Sequence, residues 1–96
     1  MYHLDIITTY KNKPIGNVWL SIVHEEQGLI GQGQMDETGK AVFSYEYEID
    51  NGELLFVGYL ELPNIILCGH KSFLNKESIS IVLEEYDLNG KRKEKT

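Results

Sequence analysis

The sequence predicts an all-β fold, a single β-sandwich domain of about seven strands. Three observations lead to this prediction. Apolar and polar side chains alternate along most of the chain, and turn residues recur about every ten positions. No window of about 11 residues carries the apolar stripe of an amphipathic helix. With 96 residues, the chain is long enough for one hydrophobic core and too short for two.

The first four predicted strands are separated by loops rich in glycine, asparagine and proline. They cover residues 2–11, 17–26, 29–35 and 41–49. The third strand carries Gly31 and Gly33 on one face, which indicates a bulge or a close backbone approach. Residues 36–40 are expected to form a hairpin turn, because Asp36 can cap backbone amides and Gly39 can take a positive φ.

Three more strands complete the domain. They are predicted over residues 54–62, 65–73 and 78–86. Asn51-Gly52 before the first of them is the strongest hairpin signal in the chain, since a type I′ turn needs positive φ at both central residues. We therefore expect residues 1–88 to form the domain and residues 89–96 to form a basic, disordered tail.

The charge is distributed unevenly. The net charge of −6 combines a body of −9 over residues 1–89 with a tail of +3. An acidic body repels phosphate backbones, so the composition argues against nucleic-acid binding. The tail is expected to be solvated, with an electrostatic contact as the alternative.

No segment approaches the roughly 18 consecutive apolar residues of a membrane-spanning helix. The start of the chain also lacks the basic and apolar regions of a signal peptide. We therefore expect a protein that does not span a membrane, and that is cytoplasmic if Met1 is the native start.

Few residues are candidates for chemistry. Cys68 is the only cysteine, which excludes an internal disulfide and a multi-cysteine zinc site. Cys68 and His70 fall on one strand face, and His3 and His24 complete a nominal set of metal ligands. This spacing is not diagnostic, and a buried thiol beside a surface histidine explains it more simply. We predict no metal, no cofactor and no catalytic residues.

The candidates for partner binding are aromatic and acidic. Trp19 alternates against Val18 and Leu20, so it either caps an open end of the sandwich or stands exposed as an interface anchor. The remaining candidates are Tyr59 and the acidic pair Glu46 and Glu48, which alternate with the core-facing residues Phe43, Tyr45, Tyr47 and Ile49. An edge strand offers a further route, including a homodimer.

Four segments, in this order, resemble a known family. They are "NKPIGNVWLSI", "MDETGKAVFSY", "LLFVGYLE" with its Gly58-Tyr59 pair, and "ISIVLEE". Together they resemble the carboxypeptidase regulatory-like domain, a transthyretin-like β-sandwich, over about residues 2–87. The resemblance implies a non-catalytic accessory, folding or interaction module, often attached to envelope receptors or peptidases. It favours the bacterial envelope or periplasm if the chain is an excised domain.

A second similarity involves His3-Leu4-Asp5 followed by Lys13-Pro14, which is similar to the start of the transthyretin-related hydroxyisourate hydrolases. That family uses several histidines, an arginine and a terminal Tyr-Arg-Gly-Ser, whereas the only arginine here is Arg92 and the terminal motif is absent. We therefore predict a non-catalytic module that binds another protein. The first alternative is a small acidic inhibitor or immunity-type protein that uses Glu46 and Glu48 against a basic site, and the hydrolase is the second.

Overall fold

A computed structural model describes residues 2–45, 49–50, 52–74 and 78–87. Over these ranges the chain forms nine β-strands in two sheets, with no helix and therefore none that could cross a membrane. The predicted all-β, two-sheet, single-domain fold is confirmed. The strands are β1 (Tyr2–Tyr10), β2 (Lys13–Pro14), β3 (Trp19–His24), β4 (Gly28–Gln34), β5 (Lys40–Tyr45), β6 (Leu54–Glu61), β7 (Ile66–Ser72), β8 (Ser78–Val82) and β9 (Glu84–Tyr86).

The smaller sheet is built around β1. This strand pairs antiparallel with β5 along its first part and with the short β2 at its end, and β8 runs parallel to it. The larger sheet is antiparallel throughout and has the order β4-β3-β6-β7-β9. The two sheets pack face to face, as alternation with one apolar face per strand requires.

The core lies between the sheets and is formed by alternate residues of each strand. Its fully buried members include Leu4 and Ile6 of β1, Phe56 of β6 and Ile81 of β8. Thr8 is the buried polar exception in β1, and its hydroxyl donates to the carbonyl of Ile15 at 2.7 Å. The remaining buried apolar residues are Val18, Leu20, Ile22, Met35, Ile49, Leu54, Leu67, Phe73, Ile79 and Leu83.

The last predicted strand is in fact divided between the two sheets. β8 pairs with β1 in the smaller sheet, and after Leu83 the chain crosses to pair with β7 as β9. Gly69 makes this crossing possible, because a Cβ on it would lie 2.2 Å from the carbonyl oxygen of Val82. The crossing segment closes one side of the sandwich. This division and the short β2 account for nine strands where about seven were expected.

Two predicted hairpins are wrong in their pairing. The turn at residues 36–40 has the expected chemistry: the Asp36 carboxylate accepts from the Thr38 amide at 2.9 Å, and Gly39 has φ 75°. However, β4 and β5, which it joins, belong to different sheets. The same holds for β5 and β6 on either side of Gly52, which has φ 81°, while Asn51 lies outside the described residues. Positive φ lets the chain reverse but does not decide whether the flanking strands stay in one layer.

The predicted irregularity in β4 is confirmed. Ile22 is opposite Gly31 and Val23 is opposite Leu29, so Ile30 is the extra residue of a β-bulge.

Two loops pack directly on each other at one end of the sandwich. A Cβ on Gly16 would lie 2.2 Å from the carbonyl oxygen of Glu37, so only glycine fits there. The Asn17 amide donates to the Asp36 carbonyl at 2.9 Å, and the Met35 amide donates to the Val18 carbonyl at 2.8 Å. Two of the segments that carry the family resemblance therefore meet in space.

We expect Gly69→Ala to lower the free energy of unfolding by about 1–3 kcal/mol, because the new methyl group displaces the crossing backbone at Val82. Gly33→Ala is the matched control: no atom lies within 4 Å of the position its Cβ would take, and its change should stay within about 0.5 kcal/mol. Urea unfolding of both variants measures the difference. Equal stabilities would contradict the described crossing.

Candidate binding face

The outer face of the larger sheet carries two exposed aromatic side chains, Trp19 and Tyr59. Leu20 and Ile22 of β3 and Leu54 and Phe56 of β6 are buried, so the residues that alternate with them point away from the core. We call this surface the sheet face. It is formed by Trp19, Ser21 and Val23 of β3, Leu55, Val57 and Tyr59 of β6, and Cys68 and His70 of β7.

Trp19 and Tyr59 are the exposed aromatic residues of the sheet face. They are directly opposite each other on β3 and β6, with 43% and 39% of their surfaces exposed. Directly opposite residues have Cβ atoms about 5 Å apart, so both side chains project from the same part of the sheet face. Trp19 points outward, as its alternation with the buried Val18 and Leu20 predicts, and its role as an interface anchor or as the cap of an open end stays a prediction.

The surroundings of this aromatic pair are uncharged at the centre and polar at the rim. Ser21, Val23, Leu55 and Val57 are half-buried neighbours on the same face. The row through Tyr59 continues to Cys68 and then to Glu84 on β9, and Glu61 follows two residues after Tyr59. An apolar, aromatic centre with a polar rim is typical of a protein–protein interface.

Two titratable groups of the sheet face, the Tyr59 hydroxyl and the Cys68 thiol, have raised pKa values. Burial, and then the charge of Glu61, raise the pKa of the Tyr59 hydroxyl above its usual value. Burial likewise raises the pKa of the Cys68 thiol. A nucleophilic cysteine needs a lowered pKa, because the thiolate is the reactive form. The raised pKa of Cys68 therefore does not favour a thiolate beside His70.

The three histidines occupy different parts of the molecule. His3 lies on the outer face of the smaller sheet, where its Nδ1 is 2.9 Å from the Ser44 hydroxyl. His24 is buried at the end of β3, and His70 is exposed on the sheet face beside Cys68, as predicted. In the ranges that the structure describes, no three histidine, cysteine or carboxylate side chains gather to hold a metal.

His24 has a structural role that the sequence did not indicate. Its Nε2 is 2.8 Å from Oε1 of Glu53, and its Nδ1 accepts from the amides of Glu26 at 3.1 Å and Gln27 at 3.2 Å. Since Nδ1 accepts, the proton of the neutral ring lies on Nε2 and is donated to Glu53. The second oxygen of Glu53 accepts from the Asp50 amide at 2.8 Å. These hydrogen bonds join the β3–β4 turn to the start of β6.

Described residues line two open depressions of the surface. One of about 550 Å³ lies on the outer side of the smaller sheet and is lined in part by Asp5, Asp36 and Lys40. The other, of about 270 Å³, lies beside the crossing segment, between His70 and Ser80. Both are lined by mixed side chains at the surface, unlike the enclosed and mostly apolar pockets typical of small-molecule sites.

The predicted acidic site residues Glu46 and Glu48 lie outside the described residues, as does the predicted basic tail at residues 89–96. Trp19 and Tyr59 are thus the two predicted site residues that the structure brings together. No protein-family model matches the chain, and no curated protein matches it.

The contact between His24 and Glu53 predicts a pH dependence of stability. Hydrogen bonds from the Asp50 amide and from His24 lower the pKa of Glu53 below its ordinary value of 4.5. Its contribution is therefore fully present above about pH 4.5 and is lost as the pH falls through the lowered pKa of the folded state. Glu53→Gln should flatten the fall in stability between about pH 5 and pH 3.

Urea unfolding at several pH values measures this effect. Glu25→Gln, at an exposed position in the turn joined by His24, is the matched control and should keep the wild-type pH profile. The assigned role of Glu53 is wrong if both variants keep that profile.

Proposed function

We propose that this domain is a non-catalytic protein-interaction module that binds another protein through the sheet face, with Trp19 and Tyr59 as its anchors. One observation carries the proposal: the two exposed aromatic side chains are directly opposite each other on central strands of the larger sheet. Exposed apolar surface with a polar rim marks sites of protein–protein interaction.

The energetics favour this surface over the rest of the molecule. Tryptophan and tyrosine dominate binding energy at interfaces, because they bury a large area and lose few rotamers. The half-buried Val57 and Leu55 extend the apolar centre. β3 and β6 each pair on both sides, so the anchors stand on a rigid sheet and not on a mobile loop.

The resemblance to carboxypeptidase regulatory-like domains supports an accessory role beside a larger functional unit. The "NKPIGNVWLSI" and "MDETGKAVFSY" segments, which carry much of that resemblance, pack on each other through Gly16 and Glu37. We therefore also propose that this chain is a transthyretin-like domain of this kind and that it acts as an accessory to an envelope protein.

The alternative of an acidic inhibitor depends on Glu46 and Glu48 and makes a different prediction. Binding through an acidic face weakens steeply as salt is raised to about 0.5 M, because the Debye length falls to a few ångströms. Binding through Trp19 and Tyr59 persists at that salt concentration. For the hydrolase alternative, the outward-facing His3 and the buried His24 do not share a surface, so we propose no reaction.

We expect a photo-crosslinking amino acid at position 19 to capture the partner in cells that produce this protein. The same amino acid at position 42, where Val42 is 62% exposed on the outer side of the smaller sheet, is the control and should capture nothing specific. With the purified partner, Trp19→Ala and Tyr59→Ala should each raise the Kd at least tenfold.

Val42→Ala should change the Kd less than about twofold, and thermal unfolding checks that all variants remain folded. Crosslinks from position 42 alone, or an unchanged Kd for both aromatic variants, would contradict the proposed face.

A further inference from the structure

β4 is an edge strand of the larger sheet. Its inner neighbour is β3, and among the described residues nothing pairs with its other side. The crossing segment closes the opposite side of the sandwich, so β4 and the turn after it lie on the open side.

The hydrogen-bonding groups on the free side of β4 can be assigned. The Met35 amide bonds to the Val18 carbonyl, so in this antiparallel ladder the groups of Met35 and Gly33 face β3. The intervening residues Gln32 and Gln34 therefore direct their backbone N–H and C=O groups away from β3. This leaves an extended row of donors and acceptors to which another strand can add.

The edge has little of the protection usual for an exposed strand. No charged residue or proline occurs from Gly28 to Gln34, and Leu29 and Ile30 are 54% and 37% exposed. Lysine, proline and inward-pointing charges are the usual ways to block edge pairing. The bulge at Ile30 distorts the first half of the strand and leaves the second half regular.

The inner side of β4 also has room for side chains of an added strand. Gly33 and Gly31 face inward, and no atom lies within 4 Å of the position that a Cβ on Gly33 would take. At Gly31 the nearest atom is Cδ1 of Ile22 at 3.8 Å. Inward-facing apolar side chains of an added strand therefore have space beside the core.

Acidic residues flank both ends of this edge. Glu25 and Glu26 are exposed in the turn before β4, and Asp36 and Glu37 are exposed in the turn after it. Antiparallel pairing of two copies would place these acidic turns against each other at both ends, so the charges oppose a β4–β4 homodimer. They favour a strand with basic residues at its two ends.

We propose that the free edge of β4 binds an extended segment of another protein, with basic residues at both ends and alternating apolar β-branched residues between them. The inference rests on the proposed function in that the domain binds protein. It assigns a second site, the backbone edge of β4, which is distinct from the outward-facing side chains of Trp19 and Tyr59 although Gln34 of β4 lies opposite Trp19.

A synthetic peptide, Lys-Arg-Thr-Val-Thr-Val-Thr-Lys-Arg with a fluorescent label, is the probe, and anisotropy measures its binding to the full chain. We expect saturable binding that weakens at least tenfold when the terminal basic residues are replaced by glutamate. Methylation of alternate backbone amides should weaken it similarly, because strand addition needs those N–H groups. Binding that tolerates amide methylation would overturn the proposal, since charge alone would then explain it.

Gln32→Pro tests the edge directly. It removes an N–H that faces away from β3, so the strand keeps its pairing, and proline is tolerated at such edge positions. We expect at least a tenfold rise in the Kd of the peptide, whereas Gln32→Thr, which keeps the N–H, should stay within about twofold. Urea unfolding and circular dichroism establish that Gln32→Pro remains folded. Glu37→Gln combined with Glu25→Gln supplies a second test that leaves the backbone intact and should weaken binding about threefold to tenfold.

The outcomes separate this inference from the proposed function. Peptide binding that is lost in Trp19→Ala and kept in Gln32→Pro supports the sheet face and overturns the edge site. Peptide binding that is kept in Trp19→Ala and lost in Gln32→Pro supports the edge site. The crosslinking experiment then tests separately whether the sheet face binds a partner. Absence of peptide binding, or a dimer in sedimentation that Gln32→Pro dissociates, overturns the proposed occupant of β4.

Discussion

The crossing of the chain from β8 to β9 is the constraint on which the rest of the architecture depends. At this point one continuous segment leaves the smaller sheet and joins the larger one, and the Leu83 amide still bonds to the Thr9 carbonyl at 2.8 Å. Two glycines leave room for it. A Cβ on Gly69 would meet the Val82 carbonyl, and a Cβ on Gly58 would lie 3.1 Å from Cδ2 of Leu83. Close packing, and not turn chemistry, therefore explains these two glycines.

This closure decides which surfaces are left for binding. With β8 and β9 covering one side, the strands that lack a second partner among the described residues on the other side are β4 of the larger sheet and β2 and β5 of the smaller one. The sheet face extends from that open side across β3 and β6, so the proposed anchors Trp19 and Tyr59 lie near the edge strand β4. The polar contact of His24 and Glu53 stabilises the same region, because it fixes the turn from which β4 starts. The contact of His24 with Glu53 and both proposed binding surfaces thus involve β3 and the turn before β4.

The strands could be predicted because apolar and polar residues alternate along them in the same order as buried and exposed side chains. Along β1 the buried Leu4, Ile6 and Thr8 alternate with exposed or half-buried neighbours, and a two-residue period has no other simple cause. The outward direction of Trp19 followed from the same alternation. Its position opposite Tyr59 did not, because register between strands depends on pairing across about 40 residues of chain.

The pairing of the strands could not be predicted for a physical reason. The turn at residues 36–40 and the turn at Gly52 have the chemistry of hairpins, yet each carries the chain from one sheet to the other. The crossing at Leu83 was equally hidden, because Ile79, Ile81 and Leu83 continue one alternation without a break. The contact of His24 with Glu53 joins residues 29 positions apart and has no local signal.

Hydrogen exchange measured by NMR tests the account most directly, because it reports which backbone amides are paired in solution. We expect the Leu83 amide to exchange as slowly as the Phe73 amide, which bonds to the Leu54 carbonyl inside the larger sheet. The Gln32 amide, on the free side of β4, should exchange at least about a hundredfold faster than either. Fast exchange at Leu83, or protection of Gln32 equal to that of Phe73, would contradict a sandwich closed at β8–β9 and open at β4.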